Sequence, residues 1–253
     1  NQLAYYRTLP GNFVRDVILK APSQDIMNSL ARSVLNLASY DERCDDISLP
    51  NVMRQCLQLI ALFPVLSVYG YQAYTYKSGN SLYIHAPQPE LSTAENFLRM
   101  IRPDKHFTHE EARLLDLCLV CHAEHGGGNN STFTCRSVSS TGTDTYSAIT
   151  ASLCSLKGPR HGGANLRVVK QFEEIKENVK NWKDEGEVRD YLCRILDGAA
   201  GDGSGLIYGM GHAIYTKSDP RAVALKHAAR PLAEKKGMSD EMDLIELVEK
   251  LTP

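Results

Sequence analysis

Three histidines stand beside glycines, where an imidazole and a closely approaching main chain could act on one ligand. His125 precedes three glycines, His161 precedes two, and His212 follows the segment Gly209-Met-Gly. Glycine lets the backbone approach a ligand and adopt dihedral angles closed to other residues. Imidazole exchanges protons near neutral pH. A lone histidine is usually a packed or surface residue, but three at glycine-rich breaks indicate a site that handles protons.

Two kinds of chemistry fit these histidines. His122 and His125 lie three residues apart, and His161 or His212 could complete a zinc set. The motif is not His-Glu-x-x-His, however, and no cysteine or carboxylate shows firm ligand spacing. Alternatively, neutral imidazoles polarise a carbonyl while a carboxylate removes a proton. Arg221 and other arginines would then hold a small anionic substrate. We favour this acid/base interpretation, without a metal.

Composition restricts the partners and the compartment. The 253 residues carry 28 Lys plus Arg and 30 Asp plus Glu, a net charge of -2, which gives no electrostatic reason to expect nucleic acid or an acidic membrane surface. The longest apolar run, Leu57–Tyr71, is interrupted by Gln58, Pro64 and Ser67, so no membrane span is expected. Seven cysteines favour free thiols in a reducing compartment, the cytoplasm.

Hydrophobic spacing and capping residues predict a mostly helical chain that positions these groups. Helices are predicted from Ser23 to Asn36, from Pro50 to before Pro64, after the capping boxes Ser92/Glu95 and Thr108/Glu111, from Thr143 or Asp144 to Leu156, over Val168–Trp182, and from Ser239. One short strand is predicted at Ser81–His85. Glycine-rich loops are expected at Gly126–Asn130 and Gly198–Gly211, and a domain boundary near Gly158–Gly163.

Four segments in this order resemble citrate synthase, most closely its bacterial si-type. They are His122-Ala-Glu-His-Gly-Gly-Gly-Asn-Asn-Ser-Thr132, Ser139-Ser-Thr-Gly-Thr-Asp144, Lys157-Gly-Pro-Arg-His-Gly-Gly-Ala-Asn165, and Gly209-Met-Gly-His212 with Asp219-Pro-Arg221. The resemblance runs through most of the chain. It implies an all-α, two-domain fold, incomplete at both termini, with residues 1–160 in the large domain and residues 161–253 in the small domain. It also implies a homodimer.

The resemblance implies condensation of acetyl-CoA with oxaloacetate and water to give citrate and CoA, through an enol(ate) and citryl-CoA. No cofactor beyond the substrate acetyl-CoA is implied. His161 would stabilise the enol(ate), and His212 would polarise the oxaloacetate ketone. The residues expected to bind oxaloacetate or line its pocket are His125, Asn129, Ser131 and Arg221, with Ser131 orienting the His161 ring. Those expected to meet CoA are Ile207, Tyr208, Gly209, Met210, Gly211 and Lys217.

One family motif is not found. The catalytic carboxylate of the family lies in an Asn-x-Asp-x-x-Ser-Gly segment downstream of the last histidine motif, whereas this sequence ends at Pro253. Asp240 and Asp243 stand in another context and are not assigned that role. We therefore expect the 253-residue chain to be inactive alone. Two alternatives stay open: a 2-methylcitrate synthase, since propionyl-CoA differs by one methylene worth about 1–3 kcal/mol, and a non-catalytic binding protein with this scaffold.

Overall fold

The computed structural model describes residues 2–124, 126–158, 163–211 and 218–252. Over these residues the chain forms helices joined by turns and loops, without a β-strand. It divides into two compact units, residues 1–158 (unit 1) and 159–253 (unit 2). The predicted all-α fold is confirmed. That the two units correspond to parts of a large and a small domain stays a prediction.

Unit 1 is built on one long central helix. Its described helices are α1 (Gln2–Tyr5), α2 (Ile26–Leu37), α3 (Leu49–Lys77), α4 (Thr93–Ile101), α5 (His109–His122), α6 (Asn130–Ser139) and α7 (Thr145–Leu156), with a π-helical turn at Val14–Leu19 and a 3-10 turn at Ala38–Tyr40. Leu62 and Leu66 of α3 pack in one core with Val34 of α2, Met100 of α4 and Tyr146 of α7. Through Tyr146 this core supports the start of α7, directly after the Ser139–Asp144 motif.

α3 is the one helix among the described residues that is long and apolar enough to cross a membrane. Its packing is nevertheless that of a core helix. Leu62, Val65 and Leu66 are nearly or fully buried inside unit 1. The buried amide of Gln72 donates to the Ile101 carbonyl over 3.0 Å. A hydrogen-bonded polar side chain on an otherwise apolar face is ordinary in the core of a globular unit.

Pro64 does not end this helix, contrary to the sequence prediction. α3 continues through it to Lys77. Proline removes one hydrogen bond, to the carbonyl of Ile60, at a cost of about 3 kcal/mol. Ile60 is 55% exposed, so this side of α3 faces solvent. Burial of Leu62, Val65 and Leu66 contributes about 1.5–3 kcal/mol each and outweighs the lost bond.

The capping boxes are confirmed. The Ser92 side chain accepts from the Glu95 amide and the Glu95 carboxylate accepts from the Ser92 amide. Thr108 and Glu111 make the same reciprocal pair at the start of α5. Asp144 caps α7, as predicted, by accepting from the Ser147 amide over 2.9 Å. These ends are set by neighbouring residues, which is why the local sequence identifies them.

Two further local predictions are wrong. α2 is capped by Asp25, which accepts from the Asn28 amide. The Ser23 hydroxyl, two residues too early to cap, instead accepts from the Asp25 amide. Ser81–His85 is not a strand. Without a neighbouring strand, its alternation cannot build a ladder. The phenol of Tyr69 instead donates to the His85 carbonyl over 3.1 Å.

Unit 2 has its own core. Its described helices are α8 (Ala164–Asn178), α9 (Glu185–Leu196), α10 (Pro220–Lys235) and α11 (Ser239–Leu251). Ile175 of α8, Val188 and Leu192 of α9, and Leu244 and Val248 of α11 form that core. The amphipathic pattern predicted for Val168–Trp182 corresponds to α8, which begins four residues earlier and ends at Asn178. The last helix begins at Ser239, as predicted.

Candidate functional site

The predicted site residues divide into three groups. His125, His161, His212 and Lys217 lie outside the described residues, so their predicted roles stay predictions. Asn129 and Ser131 lie in unit 1, at the start of α6. In unit 2 the described site residues are Ile207, Tyr208, Gly209, Met210, Gly211 and Arg221. Each unit's group is described by itself.

Asn129 and Ser131 form a closed pair at the start of α6. Asn129 is the N-cap, and its Oδ1 accepts from the Ser131 amide over 2.9 Å and from the Ser131 hydroxyl over 2.6 Å. A carbonyl oxygen only accepts, so the single hydroxyl proton of Ser131 is committed to this bond. The Ser131 Oγ therefore presents lone pairs to any further partner. That is the state needed to accept from an imidazole N–H.

The start of α6 is tied to the end of α7, where the Lys157–Asn165 motif begins. The Asn130 side-chain amide donates to the Ser155 carbonyl over 2.9 Å. Two residues later, the Lys157 ammonium pairs with Asp25 over 2.9 Å. These contacts hold the described residues that lead up to the His161 segment. In the sequence Asn130 and Lys157 are only members of their motifs, because the partners that give them these roles are distant in the chain.

The Arg221 guanidinium forms hydrogen bonds with the Asp219 carboxylate. Asp219 caps α10 by accepting from the Arg221 amide over 2.9 Å. The Arg221 guanidinium turns back onto the same carboxylate, with Nε 3.0 Å from Oδ1 and Nη2 2.6 Å from Oδ2. This side-on fork is the geometry in which arginine recognises carboxylates. The Asp219-Pro-Arg221 motif thus presents an arginine whose orientation is set by its own helix cap.

The segment predicted to meet CoA lies against α8. The Tyr208 amide donates to Gln171 Oε1 over 2.9 Å. Gly209 has φ +85°, and a Cβ there would lie 3.0 Å from Cγ2 of Val168. Only glycine suits both the dihedral angle and the contact. Tyr208 and Gly209 stand in a segment that the family resemblance marks, whereas Gln171 and Val168 occupy an ordinary amphipathic helix in which no local signal marks them.

The Tyr208 ring is held at its other end. Its hydroxyl donates to Asp202 Oδ2 over 2.7 Å, and Arg167 Nη1 donates to the same hydroxyl over 3.3 Å. The Arg167 guanidinium also lies 5.2 Å from the ring centroid. Hydrogen bonds from Ser204 and from Tyr208 lower the pKa of Asp202 to about 2. Asp202 therefore stays ionised at neutral pH, which keeps it an acceptor for the phenol.

A small cavity of about 70 Å³ lies beside this segment. It is lined in part by Arg167, Lys170, Gln171, Asp202 and Tyr208. The Gln171 Nε2 is buried and has no hydrogen-bond partner in the described part of the chain. Its Oε1 is engaged by the Tyr208 amide, which fixes how the amide group is turned. The Gln171 side chain thus acts in the structure through its oxygen, which accepts a hydrogen bond, and not through its nitrogen.

The metal alternative stays untested. Among the described residues no group of three or more His, Cys, Asp or Glu could hold a metal ion. Of the histidines proposed as ligands only His122 is described, with Nδ1 2.6 Å from the Cys118 carbonyl.

Known proteins with similar sequences share one description. A family model for "Citrate synthase, C-terminal domain" matches residues 1–253. A citrate synthase from Deinococcus radiodurans is 35% identical over 226 residues, covering 89% of this chain and 55% of the relative. A citrate/2-methylcitrate synthase from Bacillus subtilis is 31% identical over 245 residues, covering 96% of this chain and 61% of the relative.

Solved structures similar to this fold are also citrate synthases. The citrate synthase of Thermoplasma acidophilum, solved as a ternary complex with carboxymethyl coenzyme A and oxaloacetate, is similar with a TM-score of 0.79 and 25% identity. The similarity covers 98% of this chain and 62% of that chain. The chain spans about half the length of the first curated relatives, 55% and 49%. Because the family model matches the chain from end to end, the chain belongs to the citrate synthase family.

Proposed function

We propose that this protein condenses acetyl-CoA with oxaloacetate and water to give citrate and CoA. The match of the citrate synthase family model to residues 1–253 carries the proposal. The four glycine- and histidine-containing segments support it, since they hold the residue types that the reaction needs. A structural neighbour solved with carboxymethyl coenzyme A and oxaloacetate also supports it.

The first step removes a proton from the acetyl methyl group. Such protons are weakly acidic, so the developing enolate oxygen must be stabilised as the proton leaves. We assign that stabilisation to the His161 N–H. The Asn129–Ser131 pair supports this assignment, because the Ser131 Oγ has lone pairs available to orient the imidazole. The carboxylate that takes the proton is assigned to no residue of this sequence.

The second step joins the enol(ate) carbon to the oxaloacetate ketone. We assign polarisation of that ketone to His212, and the binding of carboxylate groups to His125 and Arg221. The fork of Arg221 on Asp219 supports its role, because it fixes the orientation of a guanidinium, the group that recognises carboxylates. Water then hydrolyses the citryl thioester and releases CoA.

The CoA moiety is assigned to the main chain of Ile207–Gly211 and to Lys217. The 2.9 Å bond from the Tyr208 amide to Gln171 supports this, since it gives the segment a defined course on α8. We further propose a cytoplasmic homodimer that needs no additional cofactor. Sedimentation of the purified protein tests the dimer, and activity after chelation and desalting tests the absence of a cofactor.

Steady-state assays test the reaction. Purified full-length protein is given oxaloacetate with acetyl-CoA or propionyl-CoA, and thiol release and the acid product are measured. We expect the rate of citrate formation to fall at least 100-fold in His161→Ala. Citrate formation unchanged in that variant would reject the assigned role of His161. Thiol release with neither acyl-CoA, together with retained CoA binding, would favour the non-catalytic alternative.

The second candidate is 2-methylcitrate synthesis. It is favoured by the Bacillus subtilis relative, named citrate/2-methylcitrate synthase, which is 31% identical to this chain. The two thioesters differ by one methylene, so kcat/KM for them is expected to differ by about 10- to 200-fold at most. A larger kcat/KM for propionyl-CoA than for acetyl-CoA would assign the protein to 2-methylcitrate synthesis instead.

A further inference from the structure

One face of α8 holds the main chain of the predicted CoA segment. We propose that Gln171 is a positioning residue for CoA, fixing the Tyr208–Gly209 backbone through its side-chain oxygen; this inference rests on the proposed function. Gln171 is 5% exposed and lies inside unit 2. Its Oε1 accepts from the Tyr208 amide over 2.9 Å. The bond is partly buried. A backbone N–H withdrawn from water needs such a partner, and the hydrogen-bonded backbone of α8 cannot supply one.

Val168 makes this a two-point support. It lies three residues before Gln171 on α8, and residues three apart share one helix face. A Cβ on Gly209 would meet Val168 Cγ2 at 3.0 Å. The backbone at Gly209 therefore lies against Val168 while the preceding amide is held by Gln171. Two neighbouring contacts on a rigid helix define the position of the segment and the direction of its backbone. A loop without such contacts would not define them.

The Tyr208 ring gives a second, weaker attachment. Its partners Asp202 and Arg167 act on the hydroxyl and the ring face, and all these contacts are exposed. Exposed polar contacts contribute little to holding one conformation, because water competes for them. The Gln171 bond is partly buried, its acceptor side chain is withdrawn from water, and it acts on the backbone itself. Loss of Gln171 should therefore displace the segment even where the ring contacts persist.

Glutamine is suited to this position by its oxygen and its length. In Gln171→Met a side chain of similar length leaves the Tyr208 amide without its acceptor. In Gln171→Glu the acceptor stays, and Arg167 and Lys170 line the same cavity as the introduced carboxylate. Comparison of Gln171→Met with Gln171→Glu therefore separates loss of the hydrogen-bond acceptor from loss of packing. Glu173→Met is the matched control, since Glu173 is an exposed residue of the same helix.

The test uses the full-length parent protein and these variants, and measures the dissociation constant of CoA by calorimetry and the KM for each substrate. In Gln171→Met, the CoA dissociation constant and the KM for acetyl-CoA should rise about tenfold, while the KM for oxaloacetate and kcat change less than about twofold. Gln171→Glu should restore CoA affinity to within about threefold of the parent. Glu173→Met should match the parent. Hydrogen exchange at the Tyr208 amide should quicken only in Gln171→Met.

Other outcomes overturn the inference. Unchanged CoA affinity in Gln171→Met refutes it, as does a loss spread evenly over both substrates, which would indicate general destabilisation. If Gln171→Met does not fold, Gln171→Glu decides: CoA affinity reduced tenfold despite the retained oxygen refutes the acceptor role. A parent protein that binds no CoA and forms no citrate refutes the proposed function itself. A parent that binds CoA without turnover still tests Gln171 through the dissociation constant.

Discussion

The phenol of Tyr146 donates a 2.8 Å hydrogen bond to Oδ2 of Asp41, joining α7 to the turn that precedes α3. Tyr146 is fully buried. Arg54 and Gln55 of α3 donate to the same oxygen over 2.6 Å and 3.1 Å. One carboxylate oxygen thus collects donors from two helices. The cluster helps to hold the start of α7 at the core of unit 1.

This cluster predicts an acid-sensitive part of the stability. Burial by itself raises the pKa of Asp41, but hydrogen bonds from Arg54, Gln55 and Tyr146 outweigh it and lower the pKa to about 2, from 3.8. The folded protein thus holds the ionised form, and its stabilisation is present above about pH 4 and lost as pH falls toward 2. Asp41→Asn should lower the free energy of unfolding by about 2 kcal/mol at pH 7 and by almost nothing at pH 2.

Urea denaturation of both proteins from pH 7 to pH 2 measures this difference. Asp16→Asn is the matched control, because Asp16 pairs with Arg15 and Lys20 at the surface. Hydrogen bonds from Arg15 and Lys20 lower the pKa of Asp16 as well, but water screens these exposed pairs, so Asp16→Asn should change the pH dependence of stability much less than Asp41→Asn does. A difference between Asp41→Asn and the parent that stays constant with pH would refute the electrostatic explanation.

The pair at the start of α6 predicts that catalysis and stability can be separated. Ser131→Ala removes the hydroxyl but keeps the amide that bonds to Asn129, so the free energy of unfolding should hardly change. If Ser131 orients His161, kcat should fall about 10- to 100-fold. Asn129→Ala removes the helix cap and should lower the free energy of unfolding by about 1 kcal/mol.

Chemical denaturation and initial rates, measured on the same preparations, test this separation. Ser140→Ala, at the other end of α6, is the control and should alter neither quantity appreciably. A Ser131→Ala protein with the parent's kcat would remove Ser131 from the proposed mechanism. A large loss of stability in that variant would mean that the hydroxyl serves the fold.

Local signals explain which helix boundaries the sequence predicted correctly. Ser92 and Thr108 act on residues three positions away, so their capping boxes are legible in sequence. Pro64 was misinterpreted because its tolerance depends on the burial of α3 against distant residues. The strand predicted at Ser81–His85 failed for the same reason: whether a partner strand exists is decided by the fold and not by local alternation.

The candidate site divides in a similar way. Arg221 and Gly209 were identified because they stand in motifs of unusual residue types. Gln171 was not identified, since its partner Tyr208 is 37 positions away. Asn130 was named only as a motif letter, because its partner Ser155 is 25 positions away. A pattern reveals residues of rare chemistry, whereas ordinary polar residues acquire a role only through contacts between distant elements.

The fork on Asp219 predicts that Arg221 cannot be replaced by lysine. Lysine keeps the positive charge but not the planar pair of donors that meets two carboxylate oxygens. Arg221→Lys should raise the KM for oxaloacetate about tenfold or more, with a smaller effect on the KM for acetyl-CoA. Initial rates with each substrate varied in turn measure this split.

Arg230→Lys provides the comparison. Arg230 lies on the same helix and pairs with Asp243 and Glu246 of α11, away from the proposed site. The two substitutions are chemically identical, so a rise in the KM for oxaloacetate in Arg221→Lys alone assigns the effect to position. Equal changes in both variants would show that α10 responds to any loss of a guanidinium.

Gly209 allows strain and contact to be measured separately. Gly209 and Gly237 have φ +85° and +70°, but a Cβ would meet Val168 at 3.0 Å in the first case and nothing within 4 Å in the second. Gly237→Ala should therefore show the backbone cost alone, about 1–2 kcal/mol. Gly209→Ala should cost more and also raise the KM for acetyl-CoA.

In a Val168→Ala background the extra cost of Gly209→Ala should shrink, because the methyl group in contact is gone. A double-mutant cycle on the free energy of unfolding measures that coupling. A coupling of zero would mean that the segment yields to the added methyl group, and that α8 does not define its course at Gly209.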